Sequence, residues 1–374
     1  MKVVYMNDTV YGYAIGDPSA RGGAERYGWY LMRALVSTGW SVTVGVRSAL
    51  REGEVRVIDG VRFLGLSRRI HVLFDWYRFL EKERPDWCFW QCADHLWGPA
   101  SEIARWFGVR TAFSMMHDNH VHVRKALSRR KYLWPLYAWG LHRSDVIFIQ
   151  HEDQRVPLPL RWQRRAYLLP GIVSLAGTMV PHLERNGAVV WIAVIRPAKR
   201  PDLLVEIARR LPSIRFVVCG SPSLSHWDAG TIERIMTQLK ALPNIDYRGH
   251  VSPEQALKSI GEASLLLSTS DGEGFPSVFL EAWAAGTPIV SLQIDPDHKI
   301  RDYDLGKVAD TVEGTVTAID SFMASPERLR EMGTKARRHV EELHSPMAAV
   351  RAFEAAVTQP LDSTTGGLIQ QEIR

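Results

Sequence analysis

Short apolar runs alternate along the chain with longer stretches in which apolar residues recur at helical spacing. This is the pattern of strands buried on both faces and helices that cover them. Lys2 to Met6 reads as a strand, a glycine-containing loop runs through Gly12, Gly16, Gly22 and Gly23, and Ala24 to Ser37 is helix-periodic before the strand Ser41 to Val46. Further apolar runs at Trp87 to Trp90, Val109 to Ser114 and Asp145 to Gln150 alternate with helical patterns, which predicts a parallel sheet. Val55 to Leu66 predicts a hairpin turning at Asp59-Gly60.

Beyond Pro170 the pattern loosens through Gly171, Gly177, Pro181 and Gly187, and a second series of strands begins at Val189. Val189 to Ile195, Phe216 to Cys219, Ile245 to Tyr247 and Leu265 to Ser268 are its strand candidates, separated by helical stretches near 201–211, 229–241 and 253–261. The expected layout is therefore a first domain over 1–170, a linker over 171–187 and a second domain over 188–343. Helical patterns near 313–357 close the fold, the stretch 344–357 forming a helix that returns to the first domain, and the polar residues 358–374 read as a disordered tail. The fold class is α/β, with two doubly wound parallel-sheet domains.

Composition narrows the function. The chain has 374 residues, 46% hydrophobic, enough for two cores of ordinary size. Lys and Arg outnumber Asp and Glu by 46 to 41, a net charge of +5 that argues against a dedicated nucleic-acid binder. Met1 to Asn7 is too short an apolar run for a signal peptide, and no stretch approaches the ~18 apolar residues of a membrane span, so a cytoplasmic location is expected. Cys88, Cys92 and Cys219 sit in strand-like apolar surroundings without the pairing of a disulfide framework or a zinc site. Trp87, Trp90 and Trp97 read as core more readily than as a carbohydrate groove.

The densest chemistry lies in Ser268-Thr-Ser-Asp-Gly-Glu273-Gly-Phe-Pro-Ser-Val-Phe-Leu-Glu281-Ala-Trp-Ala-Ala-Gly286. A glycine-flanked loop follows an apolar strand and opens a helix, the place where open α/β sheets bind ligands. From Val278 to Ala285 every residue is apolar except Glu281, so this carboxylate needs a partner. A nucleotide-sugar supplies one in its ribose hydroxyls, while its diphosphate suits the backbone N–H groups at the helix start.

This segment resembles the E-x7-E motif of glycosyltransferase family 4, whose members are retaining enzymes of the GT-B fold. Ala284-Ala-Gly-Thr-Pro-Ile-Val-Ser291 is similar to the strand entry that follows the motif there, and Ile294-Asp-Pro-Asp-His298 resembles a bacterial surface-polysaccharide subgroup. The resemblance implies that Glu273 contacts the donor sugar near the reacting centre and that Glu281 holds the ribose. It implies further that Gly274, Phe275, Pro276, Ser277 and Val278 lie along the diphosphate and sugar. It also implies a diphosphate clamp on the loop Arg196-Pro-Ala-Lys199-Arg200-Pro201, with Arg196 as the first ligand and either Lys199 or Arg200 as the second. Such cations are needed because the leaving nucleoside diphosphate gains negative charge. Arg248-Gly249-His250 resembles the segment beside the nucleotide base, and Gly220 at another strand end approaches the same ligand.

In the first half, Gly22-Gly23-Ala-Glu25 resembles the family's glycine-rich loop, which lets backbone approach the donor phosphate. It lacks the G-x-G-x-x-G spacing of a nicotinamide dinucleotide enzyme. His117 resembles in position a histidine facing donor sugar and acceptor. His120 and His122 follow it, yet no acidic or cysteine cluster completes a metal set, so no metal and no cofactor are expected. Between Arg124 and Arg143 six basic residues and no acidic one interleave with aromatics, including Arg129, Arg130, Lys131 and Trp134. That stretch is either core with solvated charges or a face for an anionic membrane surface. With Arg161 to Arg165 it tips the reading toward a lipid-linked glycan acceptor and a peripheral position at the inner face of the membrane. The expected activity is retaining transfer from a nucleotide diphosphate sugar to a glycan hydroxyl in cell-surface polysaccharide biosynthesis. The alternatives are a GT-B nucleotide-sugar epimerase and a non-catalytic nucleotide-sugar-binding subunit.

Overall fold

Among the described residues, eight strands build the first sheet and six the second, and every strand pair but one is parallel. The computed structural model describes residues 1–17, 20, 22–127, 130–175, 184–223, 228–272 and 275–359. It divides into two units. The first holds Met1–Gln150, Gln154–Leu169 and the chain from Ala349 onward, and the second holds His151–Asp153 and Pro170–Ala348. Part of the expected linker (176–183) and most of the expected tail (360–374) fall outside the described residues.

The first unit runs β1 (Lys2–Met6), α1 (Asp8–Ala14), α2 (Gly23–Ser37), β2 (Ser41–Val46), β3 (Val55–Ile58), β4 (Val61–Gly65), α3 (Val72–Glu83) and β5 (Trp87–Gln91). It continues with α4 (Trp97–Trp106), β6 (Arg110–Ser114), α5 (Val123–Ala126), α6 (Trp134–Arg143), β7 (Val146–Ile149), α7 (Leu160–Gln163) and β8 (Ala166–Leu168). The strand order is β3-β4-β2-β1-β5-β6-β7-β8. Strands β1, β5 and β7 are almost wholly apolar because helices cover both faces. Trp76, Trp97, Phe113 and Tyr137 fill one face of the core, and the buried indole N–H groups of Trp76 and Trp97 donate to Ala100 O and Ser144 Oγ, each at 3.0 Å.

The chain departs from the pattern between residues 7 and 23. A loop through Gly12 is expected, but α1 forms, because Asn7 caps it by accepting the N–H groups of Thr9 and Val10 while Val10 and Tyr11 bury themselves. The hairpin β3–β4 forms as its sequence predicts, with Ile58 opposite Val61 and both turn residues at positive φ, Asp59 at 47° and Gly60 at 80°.

The second unit runs β9 (Val189–Ile192), α8 (Pro201–Arg210), β10 (Phe216–Cys219), α9 (Ala229–Ala241), β11 (Ile245–Gly249), α10 (Pro253–Glu262) and β12 (Leu265–Ser268). There follow α11 (Ser277–Ala284), β13 (Ile289–Ser291), α12 (Lys299–Asp302), β14 (Gly306–Val308), α13 (Val312–Met323) and α14 (Pro326–Leu343). Its order is β11-β10-β9-β12-β13-β14. The final helix, α15 (Pro346–Thr358), carries Phe353, whose ring is buried among Trp40, Phe89 and Phe148 of the first unit's core. Its Glu354 carboxylate accepts the Trp40 indole N–H at 2.9 Å, and Val357 O accepts from Arg110 at 3.0 Å. Among the described residues, no helix is long and apolar enough to cross a membrane.

Candidate functional site

In the second sheet the chain leaves β9 toward β10 on one side, and β12 pairs with β9 on the other. This reversal makes the carboxyl ends of β9 and β12 the crevice in which an open α/β sheet takes its ligand. The loop after β9 is Arg196 to Arg200, and the segment after β12 begins at Thr269. They are laced together: Thr269 Oγ1 donates to Lys199 O at 2.6 Å, the Asp271 N–H donates to Ala198 O at 3.1 Å, and Trp191 Nε1 donates to Thr269 Oγ1 at 3.0 Å. The cation loop is therefore held against the residues that lead into the two-glutamate segment.

The three cations of that loop stand differently. Arg196 is half-buried, and its Nε has no hydrogen-bond partner among the described residues. Such an orphaned donor costs stability unless a ligand meets it. Arg200 sits at φ 48° and forks onto Asp202, with Nη2 to Oδ2 at 2.8 Å and Nε to Oδ1 at 3.1 Å. That carboxylate raises the Arg200 pKa above its usual value. Lys199 closes the short 3-10 turn Pro197–Lys199.

After β12, Glu273 and Gly274 lie outside the described residues. Phe275 turns its ring inward onto His344 and Trp283, with centroids at 5.2 Å and 6.2 Å, so what it offers a ligand is its main chain. Pro276 is the N-cap of α11, and among the described residues no side chain caps this helix. The amides of Ser277 and Val278 are thus available to an anion at the positive end of the helix dipole. Glu281 is half-buried on the second turn of the same helix.

Gly220 ends β10 at φ 148°, and a Cβ there would lie 1.8 Å from Ala193 O, so only glycine lets the two strand ends close up. Its N–H donates to Gly249 O at 2.7 Å, which joins the two predicted glycines. Arg248 is exposed and points back along the unit, with Nη2 to Asp246 Oδ2 and Nη1 to Ser259 Oγ both at 3.1 Å. His250 is exposed beside it.

Farther along, Asp297 and His298 are consecutive non-glycine residues at φ 50° and 56°. Asp297 Oδ1 accepts the Asp153 N–H at 3.2 Å and lies 3.7 Å from His151 Nδ1. Burial pushes the Asp297 carboxyl above its usual range. His151, Asp153 and Asp297 offer three ligand atoms within 4.8 Å, a cluster that the sequence expectation of no metal did not include.

The first unit has its own switch point, at the carboxyl ends of β1 and β5. Gly22 and Gly23 begin α2 there, again without a side-chain cap. A buried relay fastens the helix to the sheet. Asn7 Nδ2 donates to Tyr5 Oη at 2.7 Å, Tyr5 Oη donates to Gln91 Oε1 at 2.5 Å, and Gln91 Nε2 donates to Ala24 O at 3.0 Å. None of these three residues stands out in the sequence. Their only signal is that polar side chains occupy strand ends or interrupt an apolar run.

His117 caps the 3-10 turn Asp118–Val121, its Nδ1 accepting the Asn119 N–H at 3.1 Å. The neighbouring His120 takes the Met116 N–H on Nδ1, and burial pushes its pKa down to about 4. His117 shares a pocket of about 580 Å³ with Asp94, His95, Asn119, His120 and Arg130. Arg130 at φ 55° faces this pocket near His95, and Arg129 lies outside the described residues. Lys131 is exposed, and Trp134 is half-buried at the start of α6.

Two doubly wound α/β units, each with a helix N-terminus at its switch point, define the GT-B fold of nucleotide-sugar glycosyltransferases. Sucrose-phosphate synthase from Thermosynechococcus elongatus has this fold in common with the chain, with a TM-score of 0.71 over 95% of this chain and 98% of that one at 16% identity. The Anabaena protein HepE in complex with UDP-glucose superposes with a TM-score of 0.70 over 96% of this chain and 100% of that one at 10% identity. Residues 181–339 match the family model "Glycosyl transferases group 1". The D-inositol 3-phosphate glycosyltransferase of Segniliparus rotundus is 31% identical over 158 residues. That match covers 40% of this chain and only 35% of the relative's length.

Proposed function

We propose that this protein is a retaining glycosyltransferase that moves a sugar from a nucleotide diphosphate sugar to a hydroxyl of a lipid-linked glycan during cell-surface polysaccharide biosynthesis. One observation carries the reading. The Arg196–Arg200 loop is bonded to Thr269 and Asp271, directly before the uncapped start of α11, in the region that matches the glycosyltransferase model. A diphosphate there meets main-chain N–H groups and fixed cations at once.

In this scheme Glu281 holds the ribose and Glu273 the donor sugar. Arg196 and Lys199 stabilise the charge that grows on the leaving β-phosphate. Lys199 is the second cation of this scheme. Retention follows from attack on the face from which the nucleotide departs, the departing phosphate oxygen taking the acceptor proton. His117, with Nδ1 fixed by backbone, directs Nε2 toward the acceptor side. The protein acts in the cytoplasm at the inner face of the membrane.

UDP-sugars are the first donors to test, since HepE is described with UDP-glucose. A thermal-shift titration with UDP, UDP-glucose and other nucleotide-sugars is the experiment, because a ligand that binds only the folded form raises its melting temperature. Stabilisation by at least one nucleotide-sugar that is lost in Glu281→Ala is the expected result. A panel in which no nucleotide diphosphate shifts the wild type overturns the proposal.

A further inference from the structure

The sequence leaves open whether the basic aromatic stretch is core or surface, and the structure divides it. Tyr137, Gly140 and Leu141 on α6 are buried, whereas Trp134 and Trp139 on the same helix line an open groove of about 740 Å³. Opposite them stand Pro157, Pro159 and Trp162, so the walls are largely apolar. The charged side chains that line it are Arg124, Lys125 and Arg161, with no carboxylate among them. Two of these guanidiniums lie over indoles at the rim, Arg124 at 5.3 Å from the Trp134 ring and Arg161 at 5.5 Å from the Trp162 ring. On the same edge Val156 and Leu160 are 76% and 75% exposed.

We propose that this groove and its rim are where the protein docks on an anionic phospholipid bilayer, an acyl chain entering between Trp139 and Pro159 while Arg124, Lys125 and Arg161 meet the headgroup phosphates. Exposed aliphatic side chains beside Arg124, Lys125 and Arg161 have a poor partner in water and a good one at the boundary between headgroups and acyl chains. A nucleic acid would use the cations and aromatics but leave Val156 and Leu160 bare, and a glycan would not call for exposed aliphatic side chains beside indole and proline walls. Of the residues expected from sequence to meet a membrane, Trp134 lines this groove and Arg130 lines the separate His117 pocket.

This proposal rests on the reading of a lipid-linked acceptor, which needs the enzyme at a bilayer. Its test uses neither donor nor turnover, so it fails independently of the nucleotide-sugar titration. The full chain is sedimented with vesicles of phosphatidylglycerol or of phosphatidylcholine, at low and at high salt. Binding at least tenfold tighter to phosphatidylglycerol, weakened by salt, is expected. Val156→Ser combined with Leu160→Ser, at exposed positions where an unchanged melting temperature verifies folding, is expected to weaken binding at least tenfold. Arg161→Glu does the same, and phosphatidylglycerol brominated along its chains quenches the tryptophan emission of the wild type. Equal binding to both lipids overturns the proposal. So does vesicle binding that survives the serine pair, which means charge attachment alone, or an RNA homopolymer that binds with the same dependence on Val156 and Leu160.

Discussion

At the ends of β9 and β12 the second unit gathers Arg196, Lys199 and an uncapped helix start. At the ends of β1 and β5 the first unit gathers the uncharged relay Asn7–Tyr5–Gln91 and, on the next loops, His117 and Arg130. The same scaffold thus carries two kinds of site. Main-chain amides and cations recognise a diphosphate whatever else is attached to it. Hydrogen-bonded side chains of fixed orientation recognise the shape of one partner, and a site of that kind changes freely from one protein to another.

The largest effect expected is at the cationic site. Arg196→Ala lowers turnover of the donor about 10²–10³-fold, the usual result of removing a charge-stabilising donor, with little change in melting temperature because its Nε bonds to no group among the described residues. Lys199→Ala shares that phenotype while Arg200→Ala does not, and steady-state kinetics on the three variants checks the assignment. An Arg200 variant as damaged as the Lys199 variant reverses it. The uncharged site responds through stability first. Gln91→Leu takes the acceptor from the Tyr5 hydroxyl proton and a side-chain donor from Ala24 O, which costs roughly 1–3 kcal/mol in denaturant unfolding, and an unchanged midpoint discounts the relay.

A separate effect appears in acid. Burial pushes His339 down to about 4 and His344 down to about 3. Between pH 6.5 and 4 the unfolded chain therefore binds protons that the folded chain refuses, so stability is complete above pH 6.5 and declines as pH falls. His339→Phe flattens that decline in melting-temperature profiles, and an identical slope assigns the acid lability elsewhere.

The two sites were unequally legible. The loop proposed for the donor is contiguous in sequence, and a strand, glycines, a helix and two spaced glutamates mark it out without any contact being known. What the sequence withheld was its support. Thr269 and Trp191 lie far apart in the chain and resemble ordinary strand residues until folding joins them. In the first unit, periodicity found most strands but missed α1, whose start depends on one asparagine cap and whose glycine reads as a loop. Strands β8 and β14 were missed because three residues carry too little alternation to register. The basic aromatic stretch was ambiguous for a simple reason: one helix supplies both core and surface residues, and composition does not separate them.

Phe353 gives the first unit an unusual birth order. Its core is closed by a ring that lies more than 180 residues beyond Leu169 in the chain, packed on Trp40, Phe89 and Phe148. On the ribosome the amino-terminal half emerges first yet waits for the last helix, while everything its companion requires has already been made. The unit synthesised second can finish folding first. An expression fragment that stops at Leu169 inherits an open aromatic cleft, and fusing residues 346–359 to it supplies the missing wall.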